Sequence, residues 1–109
     1  MSLPQMTTAE VDEAVAAGAA LVVQLTTPWC TQCPTQKTVV EGLQPEWDGR
    51  LMVGVVDLAE HDEVADRYDI AAVPAFLLFL DGEHAATLRG FQRAAQLRHA
   101  VRPLLEAAS

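Results

Sequence analysis

Cys30 and Cys33 are the only cysteines in this chain, and Thr31 and Gln32 separate them. Two thiols at that spacing can close into a small ring disulfide and reopen, so the chemistry they offer is two-electron exchange. The thiolate is the nucleophile, and a Cys-x-x-Cys setting can lower a cysteine pKa from about 8.5 to roughly 3.5–7.5. A helix N-terminus assists, because its unpaired N–H groups and the positive end of its dipole favour a negative sulfur. Here the pair follows Trp29 and sits where an apolar run, Ala19 to Leu25, gives way to a helical pattern. With strands and helices alternating along the chain, the spacing reads as a redox motif.

The elements that must hold this pair are legible from periodicity and turn chemistry. Thr7-Thr8-Ala9-Glu10 fits a capping box, and Val11, Ala14, Val15 and Gly18 follow at helical spacing, so a first helix ends near Gly18. Leu21-Val22-Val23-Gln24-Leu25 is a near-continuous apolar run, as in a strand buried on both faces. Thr26-Thr27-Pro28 forms a turn with capping chemistry. A helix is expected from about Thr31 towards Trp47, with Val39, Val40 and Leu43 inward and Pro34 harmless in its first turn. Pro45 is expected to end it a turn early, and Asp48-Gly49 to close the segment.

A second strand is predicted over Leu51 to Asp57, a short helix over Glu60 to Tyr68, and a third strand over Ala75 to Leu80. Asp81-Gly82 signals a hairpin, so Ala85 to Leu88 should return antiparallel to that strand, with Gly90 breaking it. Gln92 to about Arg102 is amphipathic, with Leu97, Ala100, Val101 and Leu104 inward and an end or kink at Pro103. Pro4 confines any strand in residues 2–6 to an edge. The order, a helix, then βαβα, a hairpin and a last helix, implies an α/β domain whose sheet is part parallel and part antiparallel. Its 109 residues suffice for one core, so residues 1–109 are expected to form a single domain.

This pattern resembles the thioredoxin family along nearly the whole chain. The matching residues are Trp29-Cys30-x-x-Cys33, Asp57, Tyr68-Asp69-Ile70 before Val73-Pro74, Phe76-Leu77-Leu78-Phe79, Asp81-Gly82 and Gly90. The resemblance implies a thioredoxin fold, a mixed sheet of 4–5 strands flanked by about four helices. It also implies a thiol-disulfide oxidoreductase that reduces protein disulfides, with Cys30 attacking and Cys33 resolving. Pro74 would be the family's cis-proline, turning the main chain of Val73 towards an extended substrate strand. Trp29 and Gly90 would border the same groove.

Departures matter as much as matches. Where the family commonly has a buried Asp, six residues before the first cysteine, this chain has Gln24, and the lysine that accompanies it is replaced by an apolar residue. Losing both charges together avoids a lone buried ion, but Gln24 cannot take a proton from Cys33. Thr31-Gln32 stands in place of the family's Gly-Pro. Removing a carboxylate near the thiolate favours the dithiol, so the couple is expected to be less reducing than a typical thioredoxin at about −270 mV.

Charge and composition exclude other classes. A net charge of −8 argues against nucleic acid as a partner, and no apolar stretch is long enough to span a bilayer. Residues 1–66 hold two basic and eleven acidic side chains, residues 67–109 five arginines and four acids; a solvated acidic face accounts for this. Two cysteines cannot alone ligate a structural zinc, and His61, His84 and His99 are scattered, so neither metal nor cofactor is expected. Asp57 is read as a cap for the helix after it. The expected setting is cytoplasmic, as a monomer, with protein disulfide substrates and a thioredoxin reductase or low-molecular-weight thiol to restore the dithiol. Three other readings stay open: a glutaredoxin-like enzyme coupled to a small thiol, a non-catalytic thioredoxin-fold module that uses the groove to hold a partner, and two chains sharing an iron–sulfur cluster through their Cys-x-x-Cys pairs.

Overall fold

The computed structural model describes residues 3–47 and 49–107. Its elements, in chain order, are α1 (Thr8–Ala16), β1 (Leu21–Thr26), α2 (Cys33–Trp47), β2 (Met52–Asp57), α3 (Asp62–Tyr68), β3 (Ala75–Leu80), β4 (Glu83–Arg89) and α4 (Ala94–Ala107). Four strands form one sheet in the order β2-β1-β3-β4, with β1 and β2 parallel and the remaining pairs antiparallel. The chain thus has the mixed-sheet α/β fold that its pattern implied. Beyond the β2 edge, Gln5 adds a single parallel bridge to Val55. Pro4 contributes its carbonyl to the Val55 N–H at 2.9 Å and, lacking an N–H, extends the pairing no further.

Strand alternation sorts the core into two layers, one on each face of the sheet. Leu21, Val23 and Leu25 of β1 join Val11 and Ala14 of α1, Val64 of α3, and Ala75, Leu77 and Phe79 of β3. On the opposite face Val22 joins Val40, Leu43 and Trp47 of α2, Phe76 and Leu78 of β3, and Leu97, Val101 and Leu104 of α4. Leu21, Val22, Val23 and Leu25 are all fully buried, which is why the run carries almost no polar residue. The one polar side chain in it, Gln24, falls on the α2/α4 face by the same alternation.

Local chemistry sets the joints. Thr7 caps α1 in a reciprocal box with Glu10, and Gly18 turns the chain at φ 79° just beyond the helix. Asp81 and Gly82 both have positive φ, 53° and 83°, the type I′ geometry whose twist suits a two-residue hairpin. Gly90, at φ 84°, ends β4.

Three expectations are corrected. Helix α2 runs through Pro45 to Trp47, and α4 continues past Pro103 to Ala107, so neither helix ends at its proline. A proline inside a helix costs about 3 kcal/mol, but burying roughly 200 Å² of tryptophan at ~25 cal/mol per Å² returns about 5 kcal/mol. Trp47, 1% exposed, therefore holds the last turn of α2 in place; Val101 and Leu104 act likewise on α4. Asp57 does not cap α3. Its Oδ1 accepts from the Ala59 N–H at 2.8 Å, and the position before α3 is His61, whose side chain makes no capping bond. A side-chain cap reaches only the second or third residue ahead, and α3 starts five residues on. The expected turn at Asp48-Gly49 falls in part on residue 48, outside the described residues; Gly49 itself has φ 75°.

Candidate active site

Cys30 and Cys33 are joined as a disulfide, with Cα atoms 5.5 Å apart, between the end of β1 and the start of α2. Strand β1 delivers the chain to this point; the Cys30 N–H then bonds the Thr27 carbonyl at 3.3 Å, turning it towards the helix. The Thr27 hydroxyl is buried with no hydrogen-bond partner among the described residues, so it caps nothing. The first turn of α2 closes when the Gln36 N–H bonds the Gln32 carbonyl at 2.9 Å. Cys33 is therefore the first residue of the helix, and the sulfur of Cys30, bonded to it, lies at the helix N-terminus where a negative charge is favoured.

The two sulfurs differ in access. Cys33 is 2% exposed, packed on the inner side of α2, whereas Cys30 is half-buried on the turn before it. A cleft of about 400 Å³ opens beside the pair, lined by Thr27, Cys30, Cys33, Pro34, Lys37 and Asp57 among others. Lys37 and Asp57 place opposite charges on its wall.

Trp29, Val73, Pro74 and Gly90 do not line that cleft. Trp29 is 74% exposed, the more open of the two exposed large apolar side chains among the described residues. The Val73–Pro74 peptide bond is cis. Pro74 is buried and its carbonyl accepts from the Gly90 N–H at 3.1 Å, which brings Gly90 beside Val73 and Pro74. A Cβ built on Gly90 would meet nothing within 4 Å, so the chain there faces open space. No hydrogen bond among the described residues uses the main chain of Val73.

Gln24 is fully buried against the first residue of α2. Its Nε2 donates to the Cys33 carbonyl at 3.3 Å, and its Oε1 has no partner among the described residues. Its strand neighbours are Val55 on β2 and Phe76 on β3, both fully buried, so no charge adjoins it in the sheet.

A second buried amide went unnoticed in the sequence. Gln36 is fully buried; its Nε2 donates to the Gln92 carbonyl at 2.9 Å and its Oε1 accepts from the Gln92 N–H at 2.7 Å. The signal was present: Cys33, Gln36, Val40, Leu43 and Trp47 recur at alternating spacings of three and four and form the buried side of α2. A glutamine on that row reads as polar and hence outward unless the row is followed strictly.

The resolved electrostatic effects lie away from the cysteines. Two nitrogens of Arg98 on α4 grip the Glu46 carboxylate of α2, the nearest contact being 2.8 Å, and hold it below the ordinary glutamate range. Arg67 is similarly bonded to Asp12, at 2.7 Å, and Thr8 to Glu63. His84 bonds Thr87 and meets the Tyr68 ring edge-on, on the hairpin rather than near the disulfide. Among the described residues, no three His, Cys, Asp or Glu side chains gather as metal ligands, and no helix is long and apolar enough to cross a membrane.

Comparison with known proteins agrees with this geometry. The thioredoxin family model matches residues 2–103. Thioredoxins of Staphylococcus epidermidis and Staphylococcus aureus are each 29% identical over 92 residues, covering 84% of this chain and 88% of theirs. Among solved structures, chloroplastic thioredoxin z superposes with a TM-score of 0.84 at 24% identity, over 98% of this chain and 96% of its own. A mutant thioredoxin from Halobacterium salinarum superposes at 0.83 with 23% identity, over 94% and 89%. At such identities these two structures speak to the fold.

Proposed function

The chain belongs to the thioredoxin family and is a thiol-disulfide oxidoreductase, and on that premise we propose that it reduces protein disulfides with Cys30 attacking and Cys33 resolving. The observation that carries the assignment is the difference in access: Cys30 is partly open to solvent and Cys33 is 2% exposed. In the reduced protein the Cys30 thiolate attacks one sulfur of the substrate disulfide. A Cys30–substrate bond forms, and the other substrate sulfur leaves as a thiolate that takes a proton. Cys33, deprotonated in turn, attacks the Cys30 sulfur. The substrate departs as its second thiol, having gained two electrons, and the protein that supplied them is left with the Cys30–Cys33 disulfide present in this structure. Restoring the dithiol takes two electrons from a thioredoxin reductase or a low-molecular-weight thiol.

Trp29, Val73, Pro74 and Gly90 form the substrate groove in this reading. The free Val73 main chain can pair with an extended substrate, the exposed indole supplies an apolar platform, and Gly90 lets a second backbone come close. Gln24 takes the place of the family's Asp; it cannot accept the Cys33 proton, and its role is to hold the Cys33 carbonyl. The reading takes residues 1–109 as one thioredoxin-like domain acting as a cytoplasmic monomer.

Covalent trapping tests the assignment. Cys33→Ser should accumulate mixed disulfides with substrate proteins that dithiothreitol releases, and Cys30→Ser should not. Equal trapping by both variants would reverse or void the roles. A partner held with both cysteines replaced would instead favour a binding module.

A further inference from the structure

We propose that Gln36 is a positioning residue that sets the substrate groove by fixing the rim at residues 89–92 to the helix that carries Cys33; this rests on the protein-disulfide reading above. A fully buried amide is costly unless its polar atoms are paired, and in Gln36 both are paired with one residue, Gln92, through its N–H and its carbonyl. The partner lies 56 positions away in the chain. It is also main chain, so the pairing fixes backbone rather than a side chain. Gln92 then closes the rim from within, its Nε2 donating to the Arg89 carbonyl at 3.3 Å and the Gly90 carbonyl at 3.2 Å. Gly90 in turn donates to Pro74.

A continuous chain of hydrogen bonds therefore links Cys33's helix, through Gln36, Gln92 and Gly90, to the residue that follows Val73. These are the two walls between which a substrate strand would lie. A leucine at position 36 would fill the same core space beside Val40 without any tie to the rim. The glutamine instead makes the spacing of cysteine turn and rim a fixed quantity, which matters for a bulky protein disulfide and little for a small one.

The test measures kcat and KM for reduction of two disulfides, insulin and bis(2-hydroxyethyl) disulfide, with dithiothreitol as electron source and its uncatalysed rate subtracted. In Gln36→Leu the Gln92 N–H and carbonyl lose their partners. The ratio of kcat/KM for insulin to that for the small disulfide should fall about tenfold, mostly through a higher insulin KM, as loss of a buried polar pairing implies. Gln92→Ala, which keeps the bidentate pair but removes the two inner bonds of the rim, should lower the ratio by less, about threefold. A merely structural role would depress both substrates alike and leave the ratio intact, and that result overturns the inference. If Gln36→Leu shows no cooperative unfolding, Gln92→Ala decides alone by the same ratio. If the unaltered protein reduces neither disulfide, the proposed function falls and this inference with it. If it reduces both and the ratio is unmoved in the variants, only this inference falls.

Discussion

The Gln24 side chain donates its Nε2 hydrogen to the Cys33 carbonyl across 3.3 Å, from a fully buried position on β1 to the first residue of α2. An uncharged amide thus ties the central strand to the helix that carries the buried cysteine, and its Oε1 remains without a partner among the described residues.

Gln24→Asp places a fully buried carboxylate between two apolar strand neighbours, Val55 and Phe76, so burial should push its pKa up. The unfolded chain then loses that proton at lower pH than the folded one. Folding stability of the variant should fall as pH rises from about 4 to the raised folded value, then level off, relative to the unaltered protein. Urea unfolding at a series of pH values checks this; a variant whose stability runs parallel to the parent throughout would show that the carboxylate is solvated.

The Cys30–Cys33 couple should titrate some tens of millivolts above a typical thioredoxin's roughly −270 mV, where about 30 mV corresponds to ~1.4 kcal/mol. The cause is the uncharged Gln24, which does not repel a thiolate and so favours the dithiol. Tryptophan fluorescence in thiol buffers of graded potential measures it. A midpoint at or below the thioredoxin value would rule out this account.

Pro103→Ala should stabilise the protein. The alanine N–H can bond the His99 carbonyl inside α4, and the steric conflict of the ring disappears. Some of that gain is offset by the greater freedom of the unfolded chain, by about 0.4–1 kcal/mol. A net gain of about 1–2 kcal/mol should raise Tm by roughly 4–15 °C in a domain of this size. Calorimetry reads it directly, and an unchanged or lower Tm would mean that the helix bends to suit the ring.

Glu46→Gln should lower Tm at neutral pH, because the bond from Arg98 holds the Glu46 carboxyl below its ordinary range. A depressed folded pKa contributes stability above the unfolded value and loses it as pH falls through the folded one. The Tm gap between parent and variant should therefore close as pH drops through and below the usual glutamate range. The pair is exposed, so 1 M salt at neutral pH should narrow the gap as well. A gap indifferent to both would assign the effect to packing.

Much of this protein was determined by sequence-local physics. Periods of two and 3.6, the Thr7/Glu10 box, the Asp81-Gly82 turn and the Cys30-x-x-Cys33 spacing all act over a few residues, and each produced its element where the pattern placed it. The prolines show where local rules stop: Pro45 and Pro103 break helices in isolation, and only the burial of Trp47 and Leu104 against distant strands outweighs them. Asp57 likewise had the chemistry of a cap, but the length of the turn after β2 left it bonding Ala59 instead. Tertiary structure alone decided that Gln24 meets Cys33 and that Gln36 meets Gln92. A polar side chain carries no mark of a partner that lies far along the chain, because that partner exists only once helix and sheet have packed.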